Sequence, residues 1–445
     1  MELELTTAKE IVETSQKYNL HAWTVQGSSK PLTMIGGEGI YFWDGEGKRY
    51  YDMSSQLVNL NIGYGNSKVI KAIQEQAERL AYSSPSFAID VRSQLAKMVV
   101  ELAPDNMGKV FFTLGGSDAN ENAIKIAKMV TGRYKIFSRY LSYHGSSYGA
   151  ANLTGEPRRY TCEPGIPGFI KFFDPYVYRS PVPFADEEAA SHYYLQQLRD
   201  QVIYEGRDAV AAIVVETITG SNGVIIPPKG YLNGIRRICD EFGIMMVCDE
   251  VMTGWGRTGE WFAINNFDVK PDIITFAKGI TCGYAPIGGV IVSKEIASYF
   301  DDRFLNCGLT YSAHPLGCAA GIATIEYYQE TGLIAQAKER GVLLGRILED
   351  LKEKHACVGD VRYIGLFSAI ELVKNKESKE PLVEFDHDPD KVMSKIIGTL
   401  CARGFFTYSH ENTIMVAPPL IITEQELESA MAIMDDVLGE VDKSL

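Results

Sequence analysis

Three short apolar runs, each closed by a charged side chain, constrain this chain more than any other feature. Ala211 to Glu216 reads A-A-I-V-V-E, Ile244 to Glu250 reads I-M-M-V-C-D-E, and Asp272 to Lys278 reads D-I-I-T-F-A-K. Runs this short, apolar and rich in β-branched residues, read as strands buried on both faces of a parallel sheet covered by helices. That places the chain in the α/β class. In open α/β sheets the ligand sits beyond the carboxyl ends of the strands, which is where Glu216, Asp249 and Lys278 fall. A single charged residue at a strand end is ordinarily a solvated edge. Three of them, with the glycine-rich V-M-T-G-W-G-R-T-G after Asp249 and Glu250, read instead as a site.

An Asp and a Lys at the ends of such strands suit pyridoxal phosphate (PLP) chemistry. A lysine amine forms a Schiff base with the cofactor aldehyde, and a carboxylate keeps the pyridine nitrogen protonated so that the ring draws electrons. A phosphate site is also legible. K-V-F-F-T-L-G-G-S-D-A-N-E-N-A-I-K reads as strand, tight turn and helix, with Ser117 as the expected N-cap and Asp118 and Glu121 in the first turn. Free N–H groups and the helix dipole at Gly115-Gly116-Ser117 favour an anion. The run G-W-G-R-T-G also matches the spacing of a dinucleotide loop at Gly254, Gly256 and Gly259. The next residues, E-W-F-A-I-N-N-F, continue it poorly as a ribose-binding helix, and no acidic strand end lies about 20 residues on, so that reading is set aside.

Residues 1 to about 35 form an arm, a helix and then a loop that carries Trp23. A hairpin turns at D-G-E-G, and a helix comes next at K-V-I-K-A-I-Q-E-Q-A-E-R-L. Thr154 to Phe184, rich in Pro, Gly and aromatics, reads as one long structured loop containing Arg158 and Arg159. Beyond about residue 320 come two helical stretches, two strand regions and a last helix opened by the capping box Thr423-x-x-Glu426. At 445 residues, 46% hydrophobic, the chain can bury a large core in two domains. No apolar run of about 18 residues exists, so no membrane span is expected. The first residues lack an apolar h-region, so a cytoplasmic rather than secreted protein is expected. A formal net charge of -14 argues against nucleic-acid and anionic-membrane partners. Eight Cys without a C-x-x-C pair, and seven His without H-x-x-x-H spacing, suit a reducing compartment and no metal centre.

These motifs taken together resemble the class III aminotransferases among the fold-type I PLP enzymes. The resemblance rests on D-E-V-M-T-G-W-G-R-T-G and then F-A-K-G, on G-S-D-A-N-E, on Y-H-G and on G-L-T-Y-S-A-H-P, and it runs from about residue 20 to 440. It implies a large domain with a mixed, mostly parallel seven-stranded sheet plus a smaller α+β domain. The boundaries it suggests are 1–60 for the arm and hairpin, 61–319 for the PLP-binding domain and 320–445 for the C-terminal domain. It implies that Lys278 holds PLP and moves the proton. Asp249 would hold the ring nitrogen, and Gly116 and Ser117 the phosphate. Tyr143, with His144 beside it, would cover one ring face and Val251 the other. Glu216 would lie on the substrate's carboxylate side. Thr310 would reach the phosphate of a partner subunit's cofactor, which implies a homodimer with shared sites, or a tetramer built from it.

One departure from the family is informative. Many members carry an Arg before V-x-P-P-L that clamps the α-carboxylate; here the segment reads N-T-I-M-V-A-P-P-L and Met415 stands at that position. A thioether cannot replace a bidentate Arg. Arg158 is the substitute the sequence offers, with Trp23 and Tyr143 as further substrate contacts. The stretches H-A-W, S-S-Q-L-V-N and E-P-R-R-Y-T-C-E-P-G-I-P-G resemble the taurine and β-alanine branch. The expectation is an ω-aminotransferase with taurine as donor and 2-oxoglutarate or pyruvate as acceptor. The alternatives are a β-alanine or 4-aminobutyrate:pyruvate aminotransferase, or a PLP aminomutase or racemase on the same scaffold. A non-catalytic PLP-binding protein is disfavoured by Lys278, because packing gives no reason for an amine at that strand end.

Overall fold

The structure, a computed structural model, describes residues 7–445. After the helix Ala8–Tyr18, capped by Thr7 and Glu10, strands β1 (Gly36–Glu38), β2 (Tyr41–Trp43) and β3 (Arg49–Asp52) form a small antiparallel meander. The D-G-E-G hairpin lies where the sequence places it, between Trp43 and Arg49. The helix Ser67–Arg79 forms too, but its buried face is narrower than the apolar spacing implies. Val69 and Gln76 are buried, while Ile70, Ala77 and Leu80 are exposed.

Seven strands make the central sheet: β4 (Met107–Thr113), β5 (Lys135–Arg139), β6 (Phe169–Phe172), β7 (Val210–Glu216), β8 (Met245–Asp249), β9 (Ile273–Phe276) and β10 (Gly288–Ser293). Their spatial order is β4-β10-β9-β8-β7-β5-β6. Only β10 runs against its neighbours, β4 and β9; all other pairs are parallel. Every residue of β7 is buried. Ala212 and Val214 face one core with Ala123, Ile126 and Val290. Ile213 and Val215 face the other with Ile235, Met246 and Ile274. A strand covered on both sides has no use for polar alternation, which is why these runs are apolar throughout.

The structure differs from the sequence reading at β6. The stretch Thr154–Phe184 is not loop throughout: F-I-K-F pairs in parallel with β5 as the sheet's edge. Beyond the sheet, the helix Pro315–Thr331 packs on Ser67–Arg79 and on Asp90–Leu102, so residue 320 falls inside an element that leans on the first part of the chain. The helix Leu333–Lys354 leads into β11 (Val358–Ile364), β12 (Phe367–Asn375) and the short β13 (Glu380–Pro381). Next come strands β14 (Phe405–Phe406), β15 (Ser409–His410) and β16 (Thr413–Val416). Strands β11, β12, β16 and β15 form one sheet with β13 on β12, whereas β14 pairs in parallel with β3. The last helix, Glu424–Asp442, begins at the Thr423–Glu426 capping box and buries Leu427, Met431, Met434 and Leu438.

Candidate active site

Strands β7, β8 and β9 lie side by side, and their register puts Glu216 opposite Asp249 and Asp249 opposite Thr275. Lys278 comes three residues after Thr275, so the three charged groups meet at the carboxyl ends of these central strands. Asp249 is buried. Its Oδ2 accepts from Asn120 Nδ2 at 2.8 Å and lies 2.7 Å from His144 Nδ1. Its Oδ1 accepts from the Val251 N–H at 3.0 Å. Asn120 is itself fixed: Thr275 Oγ1 donates to its Oδ1, and its Nδ2 also reaches the His144 carbonyl. The sequence motif contained Asn120, but nothing in its spacing marked it as the residue that aims Asp249.

Glu216 is also buried. Its Oε1 accepts from Tyr143 N–H at 3.0 Å and its Oε2 from Gly220 N–H at 2.6 Å. Burial raises its carboxyl pKa, and the Asp249 charge adds to that, against the opposing effect of His144. Lys278 lies half-buried, with a backbone φ of 47°. Burial pulls its ammonium down to about 8, against the opposing charges of Asp249 and Glu216, and the Arg158 and Arg257 charges push the same way as burial. A lysine lowered this far has a far larger neutral fraction near physiological pH than one at its ordinary value, and the neutral amine is a competent nucleophile toward a carbonyl.

The turn before the helix Gly116–Thr131 is built differently from the expectation. Ser117 is not the N-cap. Gly115 is, because Asp118 sits at the third helical position and accepts from the Leu114 and Gly115 N–H groups at 2.7 and 2.9 Å. The helix therefore starts earlier, and Ser117 Oγ turns outward to accept from the Ser147 N–H at 2.9 Å and to meet Ser147 Oγ at 2.7 Å. Gly116 lies against Val251: a Cβ there would come within 2.6 Å of Val251 Cγ1. Gly145 has φ 131°, and a Cβ there would strike Ser117. Glycine is required at position 145 if the Tyr143–Ser147 segment is to lie over this helix N-terminus, and at position 116 if Val251 is to pack against the turn.

Arg158 is no surface cation. Its guanidinium carbon lies 3.8 Å from the Tyr143 ring centroid and 5.5 Å from that of Trp23. Its Nε pairs with Glu156, a fully buried carboxylate, and its Nη2 reaches Ser221 Oγ at 3.3 Å. His410 closes the group: its Nε2 lies 3.1 Å from Asn222 Oδ1 and 4.0 Å from Glu156 Oε2. Burial first, then the Arg158 charge, lowers the His410 pKa to about 4, so the ring is neutral. Trp23 is 64% exposed and does not anchor a core. Glu156, Ser221 and His410 escaped the sequence reading because they are brought together from three separate segments. Met415, 2% exposed, packs among Val58, Phe367, Ala369 and Ala417, so its position is filled by core. Thr310 stands apart from this cluster. It is exposed, and its carbonyl accepts from Tyr82 Oη at 2.9 Å.

The strand-end cluster fits PLP. A carboxylate offers about four acceptor positions, and Asp249 uses three of them within the chain, which leaves one for a ring N–H. The N-terminus of the helix Gly116–Thr131, bordered by Ser117 and Gly145, suits a phosphate. A sheet of this topology, with a lysine and an aspartate at these strand ends, defines a fold-type I PLP enzyme. The chain belongs to the class-III aminotransferases, whose family model matches residues 24–438, and these are PLP-dependent. It is 32% identical over 450 residues to the taurine–pyruvate aminotransferase of Bilophila wadsworthia, covering 98% of both chains. It is 33% identical over 419 residues to the leucine/methionine racemase of Thermococcus litoralis, covering 93% of this chain and 92% of that one. Among solved structures, the taurine:2-oxoglutarate aminotransferase of Bifidobacterium kashiwanohense, in complex with PLP and glutamate, superposes with a TM-score of 0.97. That pair shares 49% identity over 100% of both chains.

Proposed function

We propose that this ω-aminotransferase takes taurine, or a close ω-amino acid, as donor and 2-oxoglutarate as acceptor. The observation that carries the reading is Arg158, held over Tyr143 beside the Lys278 cluster in a chain whose other candidate position for an acid clamp is filled by Met415. PLP, when bound, supplies the electron sink. Asp249, aimed by Asn120 and His144, holds the proton at the ring nitrogen. The Lys278 amine, half neutral at about pH 8, is the base that would take the proton from the substrate's amine-bearing carbon and hold it for return. Gly116, Ser117 and their helix N-terminus would hold the phosphate, and Tyr143 and Val251 would flank the ring. Arg158, with Trp23 beside it, orients the substrate's sulfonate or carboxylate, and Glu216 borders the acid-group side. The likeness to taurine aminotransferases supports the donor.

Thr310 is read as serving the partner subunit's cofactor in a homodimer. The exposed apolar side chains Phe304 and Tyr311 on either side of it support a buried interface there. A cytoplasmic site of action fits eight unpaired cysteines; among the described residues no helix is long and apolar enough to cross a membrane. The likeness to a racemase favours one second reading, amino-acid racemisation on the same strand-end cluster. A donor-by-acceptor screen separates the two: taurine, hypotaurine, β-alanine and 4-aminobutyrate against 2-oxoglutarate and pyruvate. Taurine-dependent loss of 2-oxoglutarate is expected. Inversion of an amino acid with no keto acid consumed would reject the transaminase reading.

A further inference from the structure

The turn Pro157–Cys162 has two sides. Arg158 faces the Lys278 cluster. Pro157, Arg159 and Tyr160 face the other way, into a cavity of about 810 Å³ behind it. Tyr140, Phe173, Tyr176, Tyr193, Tyr194 and Phe385 form most of its apolar wall. None of Lys278, Asp249, Glu216, Tyr143 or Arg158 lines it, so it is separate from the site already described. Its volume lies in the range of small-molecule sites, about 300–1,000 Å³, and an aromatic wall with few polar groups is the composition such sites have.

Two arginines border the cavity. Arg179 is fixed by the buried Glu371, whose Oε1 accepts from its Nε at 2.6 Å. Arg159 gives its Nε to Glu163 at 3.0 Å and its Nη1 to the Gly155 carbonyl, and its Nη2 has no partner among the described residues. Nearby Lys171 has its ammonium pushed down to about 7, by burial first, with the Arg159 charge lowering it further and the Glu163 charge opposing. An unpaired guanidinium N–H beside several aromatic rings recognises a flat apolar body bearing one acid group.

The cavity wall includes near neighbours in the chain of both halves of the Arg158–Tyr143 stack. Arg159 is the neighbour of Arg158 in the chain. Leu141, on the cavity wall, lies two residues before Tyr143, and its N–H is held by Asp174 Oδ2 at 2.7 Å, with Asp174 itself on the wall. A ligand that draws Arg159 toward the cavity shifts the turn that carries Arg158. We propose that this cavity is a second small-molecule site for an aromatic monocarboxylate, and that its occupancy changes how tightly Arg158 holds the substrate's acid group. The second half of the proposal rests on the reading of Arg158 as the acid-group contact; the first half does not.

Calorimetric titration of the PLP-loaded enzyme with phenylacetate and with phenylacetamide tests the site. Phenylacetate is expected to bind with a Kd below about 1 mM, and the neutral amide at least about tenfold more weakly. Arg159→Gln should weaken phenylacetate about tenfold, and Gln197→Trp, which puts a large side chain on the cavity wall, should abolish binding. Arg158→Gln should leave it within about twofold. Absence of binding to the wild type overturns the site. So does loss in Arg158→Gln with retention in Arg159→Gln, which would place the acid in the Lys278 site. The coupling is read in steady-state kinetics. Phenylacetate should change the KM for an acid-bearing donor by about threefold or more with kcat held, and should have no effect in Gln197→Trp. An unchanged KM in an enzyme that binds phenylacetate overturns the coupling alone.

Discussion

Lys278 leaves its strand in a left-handed backbone conformation that side chains rarely adopt. This turns the chain sharply at the point where Asp249 and Glu216 end their own strands, and the amine comes to rest where water is scarce. The consequence is measurable. With the ammonium lowered to about 8, the reactive neutral amine grows as pH rises, reaches half at that value and is nearly complete about one unit above it. The rate at which the apoprotein captures PLP, monitored by absorbance, should therefore climb from about pH 6 and level off above about pH 9. A lysine at its ordinary value of 10.5 would give a rate still rising at pH 10. Arg158→Ala should raise the KM for taurine by roughly 10- to 150-fold, the worth of one charge-assisted hydrogen bond, with a smaller change in kcat. Identical kinetics in the variant would remove Arg158 from the site. Lys278 and Asp249 were legible because strand ends announce themselves in sequence. Asn120 and Glu156 were not: Asn120 meets Asp249 across 129 positions, and no local pattern encodes such a pairing.

Among the elements, the segment after β8 is the most instructive. V-M-T-G-W-G-R-T-G opens no α-helix, so it lacks the helix N-terminus that a dinucleotide loop of this spacing presents. It folds back over the sheet, and Glu250, fully buried, staples it. Thr217 and Thr253 hydroxyls and the Ala263 and Ile264 N–H groups all donate to this one carboxylate. Glu250→Ala strands four donors in the core and should cost at least about 3 kcal/mol, seen as a lower denaturation midpoint in guanidinium. A change below about 1 kcal/mol would mean that water replaces the carboxylate. Met415→Arg should not rebuild a clamp. On β16, among Val58, Phe367 and Ala369, it buries a cation without a partner and should destabilise by about 3 kcal/mol or more, with no gain in carboxylate affinity. A stable variant that binds 2-oxoglutarate more tightly would contradict this. Strand β6 was illegible for a physical reason. An edge strand of four residues between Gly- and Pro-rich turns has one sheet neighbour and too short a run to show a period. The N-cap of the phosphate turn was misplaced by two residues because Asp118, rather than Ser117, supplies the capping oxygens.

For the whole molecule, the sheet order accords with the three apolar runs and the family likeness, whereas the way the chain's ends combine is encoded in neither. Arg257, fully buried, joins them. It donates to the Leu366 and Pro418 carbonyls, to Ser55 Oγ and to Asn61 Oδ1, so three distant regions share one guanidinium. Assembly carries the last prediction. Sedimentation should find a dimer, and Thr310→Ala should keep the dimer while releasing PLP faster on dialysis. A monomer with full activity would refute the shared site.

The parallel pairing of β14 with β3 sets an order of events in synthesis. Tyr51 and Asp52 find their partners in Phe405 and Phe406, close to the other end of the chain. The seven-stranded sheet has all its strands once Ser293 has emerged, and it can condense while translation continues. The small sheet cannot. Until Phe406 leaves the ribosome, the edge of β3 stays unpaired, and an open edge is where strands of other chains add. The interval between those two moments leaves that edge open to misassembly, and a chaperone that covers Arg49–Asp52 would act there.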